Sequence, residues 1–400
     1  MWLLREGRDA LVLSIAQALF WAGLMMSITF TGLVGLSLAP SPSLATLPVA
    51  LLTVANIAAA GPISLLMQRL GRRAGFALGA FAGAAGGCVA ALGIAQGSFL
   101  VFCIGNLLLG AFQAASQYYR LAAADEVAPE RRARAVSVVM AGGVAAALIA
   151  PPLAVWTKDL LGTAQYAGSF LGLAALAVAT LVPLAFLSAR RPAAAGGNGQ
   201  GTAPAPRPLA AILRQPIFIA AFVNVAVGHA VMVLVMHATP LAMVAASHGV
   251  ADAADVIRIH VLGMFVPSFF SGRLIERFGA SRVAVLGVAA LAASVASSAT
   301  GLGYGHFQAG LLLLGIGWNF LFVAGSTLLT RSHAPEERGR VQGVFEMAVA
   351  ACAAAASFGS AGLLHVLGWQ AVNLGALPLL LLALVVTAWY AARTRTPRMA

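Results

Sequence analysis

The sequence predicts an all-α membrane protein of twelve transmembrane helices in two six-helix halves, and three observations carry that reading. Of the 400 residues, 60% are hydrophobic and 9% charged, with a mean hydropathy of +0.92, whereas a soluble domain carries about 25% charged residues. The chain divides into apolar runs long enough to cross a hydrocarbon core roughly 30 Å thick. Two loop sequences of the first half recur in the second. This composition excludes a soluble enzyme and a disordered chain, and neither catalysis nor a cofactor is expected.

The first run, near 10–36, follows MWLLREGRD, where Arg5, Glu6, Arg8 and Asp9 precede an apolar stretch too long for a signal-peptide core. It reads as an uncleaved span. Five more runs lie at 47–67, 75–95, 98–123, 135–157 and 165–188. A Gly-, Pro- and Ala-rich stretch, Ala189 to Gln215, then reads as a flexible linker. The remaining runs lie at 217–244, 253–274, 282–302, 305–330, 341–366 and 370–391. The expected domains are therefore 1–188, a linker at 189–215, and 216–400.

A net charge of +12 would suit nucleic acid, but the basic residues are 23 Arg and Lys158, scattered between apolar runs. That spacing reports topology, and no nucleic-acid partner is expected. With the N-terminus inside, 22 of the 24 basic residues face the cytoplasm, Arg120 among them, leaving Lys158 and Arg258 outside. Both termini are then cytoplasmic. Cys88, Cys103 and Cys352 fall inside apolar runs without a CxxC pair and read as packing residues. No Walker-type loop is present, so no ATPase module is expected.

The loop after span 2, SLLMQRLGRR (64–73), matches GRLIERFGAS (272–281) after span 8, and DEVAPERRARA (125–135) matches SHAPEERGRV (332–341). Two matches at nearly one offset argue for a duplicated six-helix unit repeated in parallel. Gly272, Glu276, Arg277 and Gly279 in GRLIERFG resemble the inter-helix signature of the major facilitator superfamily. The resemblance implies a rocker-switch transporter whose gating loops include these residues and Gly71. The first half departs from the pattern, with Ser64 for the leading Gly and Gln68 for the acid. Gly71 and Gly279 are expected in tight turns where a side chain would crowd the helix packing.

Ionisable residues inside spans are few: Arg258, Glu346 and, at an edge, Asp9. Each lies close enough to a span end to reach water by snorkelling. Span 7 carries His229, Met232, Met236 and Met243 along one stripe, with His237 turned away, and span 8 carries His260 and Met264 one turn apart. Thioether and imidazole donors select Cu(I) over hard cations. Against this, Met is a flexible core filler, and a membrane His commonly bonds a backbone carbonyl. Spacing alone leaves both readings open.

The pairs Met232-xxx-Met236 and His260-xxx-Met264 look like the paired motifs of the CcoA-like copper importers, a branch of that superfamily. The segments LAPSPSLATLP (38–48), QYYRLAAADE (117–126) and GIGWNFLFVAG (315–325) have the look of the same branch. This resemblance implies a monomeric copper importer of the bacterial inner membrane. Its ligands would be Met232, Met236, His260 and Met264, with His229 and Met243 secondary. Its partners would be copper, lipid and, downstream, a copper chaperone or cytochrome oxidase assembly factors. His248, Asp252 and Asp255 on the outer turn read as a solvated loop. The competing readings are a proton-coupled exporter relying on Glu346, and a metal-binding receptor that transports nothing.

Overall fold

The computed structural model describes residues 7–41, 44, 47–162, 164–188 and 207–395, and no strand occurs among them. Arg5, Glu6, Arg190, Arg191, Arg398, most of the expected linker (189–206) and part of LAPSPSLATLP lie outside these residues. The helices of the first half are α1 (Arg8–Leu38), α2 (Leu47–Leu70), α3 (Arg72–Ala95), α4 (Phe99–Ser116, continued by Tyr119–Asp125), α5 (Arg132–Thr157) and α6 (Ala167–Ala179, continued by Leu181–Ala185). Those of the second are α7 (Pro216–Ala245), α8 (Val250–Phe265, continued by Ser268–Phe278), α9 (Ala280–Thr300), α10 (Tyr304–Leu329), α11 (Arg338–Leu374) and α12 (Leu377–Arg395).

These helices follow the twelve expected runs in order. Among the described residues, ten stretches are long and apolar enough to cross a membrane. The eighth run misses that length because Pro267, which has no N–H and crowds the preceding turn, divides it. The eleventh opens with Arg338, Arg340 and Glu346, and it runs on into the start of the twelfth across Gly368, whose φ of 78° and ψ of 175° break the helix.

The chain packs as two compact units, and each includes a segment from the other half of the sequence. The first comprises 1–126, 142–207 and 335–347; the second comprises 127–141, 208–334 and 348–400. In the first, small residues let backbones approach, as membrane interfaces require in the absence of a hydrophobic drive between helices. A Cβ on Gly86 of α3 would stand 2.9 Å from the Gly105 carbonyl oxygen of α4. Phe102, Phe170, Leu109 and Met26 fill its core. In the second, α10 packs against α7, α8 and α9. A Cβ on Gly315 would stand 2.7 Å from the Met264 backbone nitrogen.

The duplicated loops adopt matching structures. Pro129 and Pro335 each open a 3-10 turn, Pro129–Arg131 and Pro335–Glu337, that leads into the fifth helix of its half. Gly71 and Gly279 cap α3 and α9 with φ of 92° and 87° and ψ of 158° and 153°. That region is essentially restricted to glycine. The expected crowding at these two glycines is not found, because a Cβ on either would meet nothing within 4 Å. Backbone conformation, not packing space, requires glycine there.

Candidate functional site

Within the second unit, α7, α8 and α10 bring together an imidazole and three large aromatic rings. Trp318 and Phe322, one turn apart on α10, are stacked at 4.7 Å with a 14° interplanar angle. His229 of α7 lies 5.3 Å from the Trp318 ring and 5.2 Å from Phe322. Phe265 of α8 meets Trp318 edge-on at 6.3 Å. The Trp318 indole N–H donates to His229 Nδ1 at 3.3 Å. An indole nitrogen only donates, so Nδ1 is the acceptor, and the proton of a neutral His229 sits on Nε2. Trp318 and Phe322 are 1% and 3% exposed, so the group is a packed aromatic cluster with an imidazole at its edge.

The soft residues expected as ligands are placed as follows. Met232 and Met243 are buried on α7, and Met236 is half-buried there. His260 and Met264 are buried on α8. His260 Nδ1 pairs with the Leu311 carbonyl of α10 at 2.9 Å, which makes Nδ1 the donor; Nε2 has no partner among the described residues. The Met264 carbonyl accepts from Asn319 Nδ2 at 2.7 Å. His260 and Met264 thus both address α10. His237 pairs with Ser357 at 3.0 Å. Among the described residues, no group of three or more His, Cys, Asp or Glu side chains is placed to hold a metal. At the turn between α7 and α8, His248 bonds the Leu302 carbonyl, the Asp252 side chain accepts from Gly249 N–H, and Asp255 accepts from Arg258 and Tyr304. Cys88, Cys103 and Cys352 are free thiols.

The first unit holds a buried ion pair and two further charged clusters. Arg120 and Glu346 form an ion pair at 2.6 Å with side-chain exposures of 3% and 5%. Arg120 is thus buried, not solvated at a span end, and Glu346 does not snorkel. Arg120 also donates to the Gln117 carbonyl at 2.5 Å and to Gln117 Oε1 at 3.2 Å. A second cluster joins Arg72 to Asp125, with Arg338 at 3.7 Å from the same carboxylate and Gln342 donating to it at 3.3 Å. Arg207 binds Glu337 through Nε at 2.8 Å and Nη2 at 2.6 Å. This bidentate hydrogen bonding raises the guanidinium pKa further above its ordinary value.

The contacts of the two repeated loops account for the departure of the first repeat. In the second unit, a Cβ on Gly272 would lie 2.7 Å from Arg134 Cα and 2.8 Å from Ser137 Oγ, while Ser137 bonds Ser271 at 2.9 Å. In the first unit the pair is reversed: Ser64 lies opposite Gly343, whose Cβ would stand 3.3 Å from Ser64 Cβ. The small residue lost from the loop is restored on the facing helix. Glu276 pairs with Arg134 at 2.5 Å. Its counterpart Gln68 bonds the Glu336 carbonyl instead. A neutral amide suits a backbone acceptor as a carboxylate suits arginine. Arg277 lies over the Phe278 ring at 5.3 Å.

Trp318, Phe322 and Arg120 were not among the expected site residues. The four-residue spacing of Trp318 and Phe322, quoted above only as part of GIGWNFLFVAG, was the available signal for a shared helix face.

The model of the Major Facilitator Superfamily matches residues 13–251 and 230–400. The riboflavin transporter RfnT of Brucella anthropi is 41% identical over 382 residues, covering 94% of each chain. The uncharacterized MFS-type transporter YddS of Bacillus subtilis is 29% identical, covering 95% of this chain and 90% of that one. Among solved structures, the human organic anion transporter MFSD10 superposes with a TM-score of 0.77 at 16% identity, covering 96% of this chain and 99% of that one. The proton:xylose symporter XylE superposes with a TM-score of 0.76 at 14% identity, covering 95% and 94%. The similarity to RfnT overturns the expected copper import and the CcoA-like assignment: a full-length relative this similar is a vitamin transporter. The ligand roles of Met232, Met236, His260 and Met264 lose their basis with it, and a buried, carbonyl-bonded His260 beside Met264 is accounted for by helix packing. The matched family model and the full-length relative show that this multi-pass membrane chain belongs to the major facilitator superfamily.

Proposed function

We propose that the protein carries riboflavin, or a vitamin with the same planar heteroaromatic ring, across the bacterial inner membrane with both termini in the cytoplasm. The observation that carries this reading is the 41% identity to RfnT over 94% of both chains. The His229, Trp318 and Phe322 group, buried in this structure, is of the right chemistry for it, since a tricyclic ring carrying carbonyl and imide groups needs aromatic faces and a few hydrogen-bonding groups. The orientation rests on the 22 basic residues that the positive-inside rule gathers on one side. No chemical conversion is required of the site: alternating exposure of a bound vitamin is enough.

Cells unable to make riboflavin provide the test. Expression of this chain should let them grow on, and accumulate, low external riboflavin, and His229→Ala or Trp318→Ala should weaken both at equal membrane abundance. Failure of the wild-type chain to support uptake or growth would overturn the reading.

A further inference from the structure

We propose that the groove between α5 and α6 in the first unit is a phospholipid site, in which one acyl chain lies along the groove and the Lys158 ammonium at its end meets the phosphate of an anionic headgroup. The site does not depend on what the protein carries. The groove has a volume of about 500 Å³, and apart from Trp156 and Thr157 its walls are Leu, Gly and Ala. The Thr157 hydroxyl is occupied, donating to the Leu153 carbonyl at 2.7 Å. Water needs two or more polar partners, so a groove without them is filled by hydrocarbon. Gly168, Leu171, Gly172, Ala175 and Ala179 line it along one face of α6, with Leu171 and Ala175 exposed. From Gly168 to Ala179 this wall runs about 16 Å, the depth of one leaflet of a hydrocarbon core roughly 30 Å thick.

The internal repeat shows that the fold requires neither the cation nor these glycines. The α5–α6 turn and the break in α11 each hold a glycine of positive φ, Gly162 at 57° and Gly368 at 78°. Aligning the two, at the same offset as Pro129 and Pro335, places Leu364 where Lys158 stands, Leu374 where Gly168 stands and Pro378 where Gly172 stands. The other connections at this end of the first unit, 39–46 and 96–98, carry no charged residue. Charge enters only where the groove ends.

The turn holds that charge in place. Lys158 directly follows Thr157, a lining residue, and the Tyr166 N–H closes the turn onto the Lys158 carbonyl at 2.7 Å. Tyr166 itself stacks on Phe30 at 4.8 Å. Lys158 Nζ lies 3.7 Å from Asp159 Oδ2, beyond hydrogen-bond distance, and the two side chains are 36% and 61% exposed. The carboxylate is thus the more solvated of the pair, and the ammonium spends none of its three N–H donors on it. A lysine stem covers apolar surface while its head reaches the water boundary, which is where a lipid phosphate sits. Trp156, 67% exposed in the groove wall, is of the type enriched at that boundary.

The test uses the full-length protein in phosphatidylcholine vesicles, with Trp156 as the reporter. Increasing fractions of a lipid brominated on its acyl chains are mixed in, and the quenching of Trp156 is the difference between the wild type and Trp156→Phe. Brominated phosphatidylglycerol should quench Trp156 at a roughly fivefold lower fraction than brominated phosphatidylcholine, the worth of one basic residue near a membrane surface. Lys158→Gln should abolish that preference, and Asp159→Asn should keep it. Ala175→Phe, which fills the exposed groove without entering the packed core, should abolish it as well. Equal quenching by the two lipids in the wild type, a preference that survives Lys158→Gln or Ala175→Phe, or stronger quenching by brominated phosphatidylethanolamine than by brominated phosphatidylglycerol overturns the proposal. So does a Trp156 that no brominated lipid quenches, the result expected if a second copy of the chain covers the groove.

Discussion

Substitution of the buried pair by its repeat counterparts gives a prediction with a defined magnitude. Arg120 and Glu346 are 3% and 5% exposed and 2.6 Å apart. Arg120→Ser or Glu346→Met alone leaves one charge enclosed without its partner, at a cost of about 3–5 kcal/mol. Glu346→Met should fall at the lower end, since Arg120 keeps its Gln117 contacts. Aligning Pro129 with Pro335 places Ser326 where Arg120 stands and Met140 where Glu346 stands. The double variant recreates that arrangement, and replacing a whole buried pair with uncharged residues is often neutral or stabilising. It should therefore cost less than either single change. Denaturant unfolding of the purified protein in detergent, followed by tryptophan fluorescence, measures all four forms. Additive single effects, with the double variant at their sum, would refute the account of the pair as mutually compensating charges.

The glycine loops predict an ordered series in the same assay. Gly272→Ala places a Cβ 2.7 Å from Arg134 Cα and should cost about 1–3 kcal/mol, whereas Gly343→Ala, with its nearest atoms at 3.3 Å, should be close to neutral; equal effects would contradict the reversed Gly and Ser pairing. Gly279→Ala and Gly71→Ala should each cost about 1–3 kcal/mol of backbone strain although their Cβ atoms meet open space. At the aromatic group, Trp318→Ala should weaken riboflavin binding by about 1–3 kcal/mol, the range for loss of one aromatic stacking platform. Quenching of flavin fluorescence on titration measures this, and Trp318→Phe should retain most of the affinity.

The parts of the fold that depend on composition were legible in the sequence, because a chain without water to bond its backbone has to form apolar helices of about the span length. The repeat was legible as well, through Pro129 with Pro335 and Gly71 with Gly279. The reversal of Ser64 and Gly343 was not, since it depends on which helices cross. Arg120 was counted with the cytoplasmic charges because its place in the sequence, near a span end, does not show that Glu346 lies against it. The Met and His stripe did not decide between two readings for a related reason: thioethers and an imidazole at helical spacing serve a packed interface as well as a soft metal. The contact of His260 with the Leu311 carbonyl, which the spacing cannot reveal, favours the packed interface.

Exchange in liposomes tests the central claim most directly. The purified full-length protein, reconstituted with unlabelled riboflavin inside, should draw in labelled riboflavin from outside, and excess unlabelled riboflavin in the outer medium should block that entry. Cu(I) or Ag⁺ added in reducing buffer should leave it unchanged. Liposomes that admit labelled riboflavin no faster than protein-free ones, with the protein folded and inserted, would contradict the account.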